Sequence, residues 1–371
     1  MTKPENNTVN IALPQSFSQK FVHSLQHRGI VAWLLAVVLS AFYTCIYWFP
    51  HYLQGFIAWF NPLSEYLRHR PADNWFLYGS LYTLAVLVFG VRFLIKYRHS
   101  RYQIFRTLSL LFFQLIFAYL LPAFMALMAQ PEFYFTYFFP LDSYVLRPEN
   151  VANLLHTPHG TGIFFLAISV FLSFIATPVL TYFFGKRWYC SWVCGCGALA
   201  ETAGDSFRHL SDKSLRAWKI ERWTVYSVLV LVILLTLILW INSLSGGSFL
   251  GDFSSQFARA YGFFITAMFS GVVGVGFYPL LGSRVWCRFG CPMAAYLGIL
   301  QKYFSRFKIS TNAAQCISCG LCSHNCEMGI DVRAYAQQQQ DIVRASCVGC
   351  GICAEVCPRG VLRLENISSS K

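Results

Sequence analysis

Eight cysteines fall in two runs near the C-terminus, Cys316-x-x-Cys319-x-x-Cys322-x-x-x-Cys326 and Cys347-x-x-Cys350-x-x-Cys353-x-x-x-Cys357, the second followed by Pro358. Thiolates at this spacing match the bacterial ferredoxin arrangement for two [4Fe-4S] clusters, in which the fourth cysteine of each run ligates the other cluster. The expected ligand sets are Cys316, Cys319, Cys322 and Cys357 for one cluster and Cys347, Cys350, Cys353 and Cys326 for the other. Such clusters exchange single electrons, at potentials set by charge, hydrogen bonds to sulfur and exposure. Gly320, Gly349, Gly351 and Gly360 allow backbone amides to approach the sulfurs, and Arg333, Arg344 and Arg359 could offset cluster charge, although a solvated face is the ordinary role of an arginine.

Four further cysteines form an internal repeat. The segments GKRWYCSWVCGCGALAE and GSRVWCRFGCPMAAYLG align Gly185 with Gly282, Arg187 with Arg284, Cys190 with Cys287, Cys194 with Cys291 and Ala198 with Ala295 at one constant offset. A single buried cysteine is usually a small hydrophobe, which suits Cys45, but two matched pairs call for more. Cys190, Cys194, Cys287 and Cys291 could together hold a third iron-sulfur or metal site, or act as redox-active dithiols in an electron relay. Cys196 pairs with Met293 and takes no assignment.

The rest of the chain must position these thiols, and its composition is that of a membrane protein: 56% hydrophobic, 12% charged and 18% aromatic over 371 residues. Six apolar stretches are long enough to cross about 30 Å of hydrocarbon. They lie near Ile30 to Phe49, Trp75 to Ile95, Thr107 to Met128, Thr161 to Phe184, Trp223 to Ile241 and Tyr261 to Leu281. The formal charge of +13 gathers in the loops after the second and fourth stretches, which the positive-inside rule makes cytoplasmic. That distribution also argues against nucleic-acid binding, which would collect basic residues in a soluble domain.

The expected architecture is an α-helical integral membrane protein with a small C-terminal α+β bacterial ferredoxin-like domain. It divides into a cytoplasmic tail (1–29), a six-helix transmembrane domain with two C-x-x-x-C motifs at its cytoplasmic edge (30–300) and a cytoplasmic 2[4Fe-4S] domain (301–371), in a bacterial cytoplasmic membrane with both termini inside. The first thirty residues lack a signal-type apolar core, so the first span reads as an uncleaved anchor. No histidine falls in the core of a span, so a b-type haem is not expected, and no charged residue sits mid-span to mark an ion path. The loop Glu132 to Gly160 offers aromatics with Asp142, His156 and His159, candidates for quinone binding and quinol deprotonation, although an interfacial aromatic belt would look similar. Pro178 suggests a kink above Cys190, Gly271, Gly274 and Gly276 suggest close helix packing, and Arg333 to Val343 reads as a polar helix between the cysteine runs.

Taken together, the spans, the two motifs, the second as Cys287-Arg-Phe-Gly-Cys291-Pro292, and the paired cysteine runs resemble membrane polyferredoxins of the NosR/NapH type over roughly Thr161 to Leu364. The resemblance implies electron exchange between the quinone pool and another redox protein or complex subunit, within membrane lipid, with the C-x-x-x-C motifs needed for activity. The alternative readings are an accessory factor supplying electrons for maturation of a metalloenzyme, or a membrane redox sensor. The chain departs from the pattern in three places. Gly195 follows Cys194 where proline is usual, Glu327 replaces the proline after Cys326, and no covalent flavin motif is recognisable.

Overall fold

The computed structural model describes residues 17–366, apart from 131, 158, 159, 248 and 249. Six helices long and apolar enough to cross a membrane run Ile30–Trp48, Asn74–Lys96, Arg101–Leu127, Thr161–Phe184, Leu215–Leu244 and Phe253–Gly276. The protein is a multi-pass membrane protein. Trp33, Leu34, Val37 and Val38 on the first span are each more than half exposed, as a lipid-facing surface requires.

The span ends differ from the sequence expectation in instructive ways. The fifth begins at Leu215, because the Ser214 hydroxyl accepts the Ala217 amide and caps a basic first turn that hydropathy does not register. The sixth stops at Gly276. Beyond it Phe277 leaves helical geometry, and Tyr278–Leu281 forms a separate turn that carries Pro279, which cannot sit in a helix interior. Arg28, just before the first span, donates to the carbonyls of Leu280 and Leu210 at 2.8 and 3.0 Å, tying the start of the bundle to the ends of both cysteine-bearing segments.

The third, fourth and sixth spans each contain π-helical backbone, at Phe113–Leu120, Leu172–Ala176 and Gly262–Val273. Pro178 follows directly on the second of these stretches, and the wider turn there accommodates the missing amide.

The C-terminal region has ferredoxin-like form. Strand β1 (Phe307–Thr311) pairs antiparallel with β2 (Leu362–Asn366), Phe307 opposite Asn366 and Thr311 opposite Leu362. Phe307, Ile309 and Leu362 turn inward, while the alternate positions are wetter. The expected polar helix is shorter than its sequence suggests. It covers Val332–Gln337 and ends as Gln339 adopts φ +57°, which frees Asp341 to pair with Lys308 at 2.7 Å and tie the connection to β1.

Candidate functional site

The two C-terminal runs have one backbone design. Positive φ recurs at Ser318 and Gly349, Gly320 and Gly351, and Gly329 and Gly360, at the same offset that relates Cys316 to Cys347. Gly320 and Gly351 each open a single helical turn, Leu321–His324 and Ile352–Glu355, that carries the third cysteine of its run. A left-handed residue is needed there, and glycine adopts it without cost.

Cys316, Cys319, Cys322 and Cys357 line one cavity, bringing the last cysteine of the second run to the first three of the other. Cys326 crosses the opposite way, close enough to Cys347 and Cys353 for their charges to interact. Four thiols converging in each place fit a cubane cluster. The two places differ in exposure. Cys319 and its neighbours Ile317 and Leu321 are exposed, whereas Cys347 and Cys353 are buried against the bundle.

That buried run is fastened by its own carbonyls. Tyr102 Oη donates to Gly349 O at 2.7 Å, Gln103 Nε2 to Cys350 O at 3.0 Å, Ser191 Oγ to Val348 O at 2.8 Å and Gln301 Nε2 to Cys347 O at 2.8 Å. Those four donors come from the third span, the first repeat segment and the helix after the second repeat segment. The second run is therefore seated on the same elements that carry the remaining thiols.

The two repeat segments are enclosed by the bundle. They turn back into the bundle as short broken helices, Arg187–Cys190 with Gly195–Glu201 and Val285–Phe289 with Pro292–Phe304. Gln114, midway along the third span, donates to Val193 O at 2.6 Å. Tyr189 Oη donates to the carbonyl of Thr136, which belongs to the loop at the far end of the bundle. Tyr296 Oη reaches Ser173 O at 3.2 Å in the middle of the fourth span. Non-helical backbone at this depth is tolerated because it is enclosed by protein. Each π-helical stretch supplies one of the enclosing contacts, through Gln114, Ser173 and Phe269, whose ring packs edge-on against Trp286.

Cys190, Cys194, Cys287 and Cys291 meet in one buried cluster, all under 8% exposed, with Cys196 packed beside it. The thiols lie close enough for their charges to act on one another, with Cys194 and Cys196 among them. Arg284 places Nη1 3.6 Å from Cys287 Sγ, while Arg284 Nε and Trp286 Nε1 are buried donors without a hydrogen-bond partner among the described residues. Spare donors beside four converging thiols fit a group bearing sulfide or other anionic acceptors. Cys291 also caps the helix that Pro292 begins, accepting the Ala294 amide. In the other copy Gly195 stands where Pro292 does, because a Cβ there would lie 2.5 Å from Tyr137 Oη. Tyr82 Oη donates to the Gly195 carbonyl at 2.8 Å.

A buried ionic network that sequence reasoning missed joins the two regions. Glu201 pairs with Arg106, with Arg208 at 2.8 Å and with Arg284 at 2.6 Å. Glu327 pairs with Arg208 at 2.7 Å and Arg284 at 3.0 Å. Burial would raise the Glu201 carboxyl, but the three arginines overcome it and hold that group well below the usual carboxylate range. The signal available was Glu327 itself, a charged residue at a position where proline is usual.

The expected quinone residues separate. Asp142 lines a cleft of about 470 Å³ with Arg68, Asp73, Gln114, Tyr82 and Tyr137. His156 is elsewhere, on the turn that ends helix Pro148–Leu155, and His159 lies outside the described residues.

Comparison with known proteins agrees with this anatomy. A family model described as a 4Fe-4S binding domain matches twice, over residues 166–216 and 263–312, so that each match takes in one copy of the C-x-x-x-C repeat. A 4Fe-4S dicluster domain matches 315–362. The chain is similar to YccM of Escherichia coli (strain K12), at 31% identity over 45% of this chain and 47% of that protein. It is also similar to the regulatory protein NosR of Stutzerimonas stutzeri, at 24% over 50% and 27%, and to NirI of Paracoccus denitrificans (strain Pd 1222), at 27% over 43% and 24%. The match thus spans about half of YccM and about a quarter of the other two. No solved structure matches the chain. The fold and the thiol sites define a membrane electron-transfer protein with 4Fe-4S domains. Within that class the chain is similar to the NosR/NapH-type membrane polyferredoxins.

Proposed function

We propose that this protein exchanges electrons between the quinone pool and a redox partner on the ferredoxin side of a bacterial cytoplasmic membrane, with both termini on that side. Cys316, Cys319, Cys322 and Cys357 would hold one [4Fe-4S] cluster, Cys347, Cys350, Cys353 and Cys326 a second, and the repeat cysteines a third iron-sulfur or metal group. When bound, these groups supply one-electron chemistry. The protein's part is to hold them in sequence and keep water from the inner ones. The observation that carries the reading is the bond from Ser191, next to Cys190, to Val348 O, next to Cys347, together with the exposure of Cys319 in the other run. A buried site thereby has an inner and an outer neighbour, and the outer one is open to a soluble partner. Reconstituted protein given a short-chain quinol should show its clusters reduced, followed by visible absorbance and electron paramagnetic resonance. Clusters that stay oxidised with quinol, yet reduce fully with dithionite, would overturn the quinone assignment.

A further inference from the structure

The cleft beside Asp142 runs between the second and third spans and ends on the first repeat segment. Its mouth is charged. Arg68 lies 3.7 Å from Asp73, and Arg70 pairs with Glu132. Its walls are apolar, from Phe76, Pro122 and Ala123. Its floor is formed by Tyr82, Gln114 and Tyr137 over Gly195.

Three properties of the floor narrow what can lie there. Gln114 is anchored through Nε2, which donates to Val193 O at 2.6 Å, and its Oε1 shares the single Tyr82 hydroxyl proton with the Gly195 carbonyl, at 3.0 and 2.8 Å. The Tyr137 hydroxyl has no hydrogen-bond partner among the described residues and points at the glycine next to Cys194. Glycine at 195 keeps side-chain bulk out of that spot. A ligand here meets apolar walls, aromatic rings, tyrosine and threonine hydroxyls, and the buried Arg68 beside Asp73. The volume lies within the ordinary range for a small-molecule site.

We propose that this cleft is the quinone site, with the ring of an isoprenoid quinone or quinol over Gly195 and one ring oxygen on the Tyr137 hydroxyl. The inference rests on the functional reading above and moves the site from the predicted histidines to the second and third spans. Each quinol oxidised gives up two O–H protons and two electrons. The protons leave through the mouth, to Asp142, Asp73, Glu132 and water. The electrons go singly to the iron-sulfur groups of the preceding proposal.

The test is equilibrium binding of decylubiquinone and a naphthoquinone analogue to the full chain in lipid nanodiscs. Gly79→Leu fills the cleft from its wall, where a first carbon meets nothing closer than Tyr119 at 3.7 Å, and Tyr137→Phe removes only the hydroxyl. Gly79→Leu should abolish measurable binding, and Tyr137→Phe should weaken it about three- to tenfold, the worth of one hydrogen bond. Both should keep wild-type iron content and the spectrum of the dithionite-reduced protein. If wild type binds quinone and both variants bind it equally well, the site is elsewhere and the functional reading stands. If wild type binds none and quinol leaves the clusters oxidised, both proposals fall.

Discussion

Arg208 and Glu327, 119 residues apart in sequence, meet at 2.7 Å with both side chains about 2% exposed or less. Glu327 follows Cys326, and Arg208 lies beyond the first repeat segment, so this pair clamps the ferredoxin region onto the bundle. Removing one partner of a buried ionic pair leaves the other uncompensated and costs about 3–5 kcal/mol. Glu327→Ala should therefore lower the thermal midpoint and allow limited proteolysis to cut between the two regions at temperatures where wild type resists. Glu327→Gln, which keeps a hydrogen-bonding side chain, should fall between them. A Glu327→Ala protein with wild-type midpoint and cleavage pattern would show that the clamp does not hold the joint.

Ser191 makes a second, smaller fastening. Its hydroxyl donates to Val348 O at 2.8 Å, and Ser191→Ala would leave that buried carbonyl without its donor. An unmet buried acceptor costs about 1–3 kcal/mol. The expected result is a midpoint lowered by a few degrees with iron content unchanged, since no ligand is touched. Loss of iron instead would mean that Ser191 supports a thiol site directly.

Gly276 lets the sixth span lie against the first. A Cβ there would stand 2.4 Å from Ser40 Oγ and 3.3 Å from Ser40 Cα, and Gly271 meets Tyr43 and Tyr47 in the same way. Overpacking of a fitted contact costs about 1–3 kcal/mol. Gly276→Val should lower the midpoint in detergent, and Ser40→Ala should restore part of it. Equal stability for Gly276→Val and wild type would remove close packing as the reason for this glycine.

The two cysteine runs and six spans were legible in sequence because both signals are local: ligand spacing in one case, runs of apolar residues in the other. The expectation that Cys357 and Cys326 cross between the runs came from the ferredoxin pattern alone. The depth of the repeat cysteines was not. Lys186 and Arg187, which open the first repeat segment, are the basic residues expected of a loop outside the membrane, and only tertiary contacts from Gln114, Thr136 and Ser173 show that the repeat segments turn inward. The ionic network was hidden for the same reason, since Arg106 and Glu201 read as ordinary loop and helix-end charges until both prove buried. His156 drew notice because histidine is chemically versatile, whereas the cleft floor is made of Tyr82, Gln114 and Tyr137, residues that pass for packing in an aromatic-rich bundle.

The convergence of Cys190, Cys194, Cys287 and Cys291 leads to a count. If the repeat thiols hold a third cluster, purified protein should carry about twelve irons with matching sulfide, and about eight if they do not. Cys190→Ser with Cys287→Ser should then remove about four irons and leave the signals of the other two clusters intact, because the ferredoxin ligands are untouched. Cys319→Ser should instead perturb the exposed cluster alone. The discriminating result is the double variant. If it keeps the wild-type iron count, the four thiols hold no cluster, and if its count falls by only about one, they hold a single metal ion.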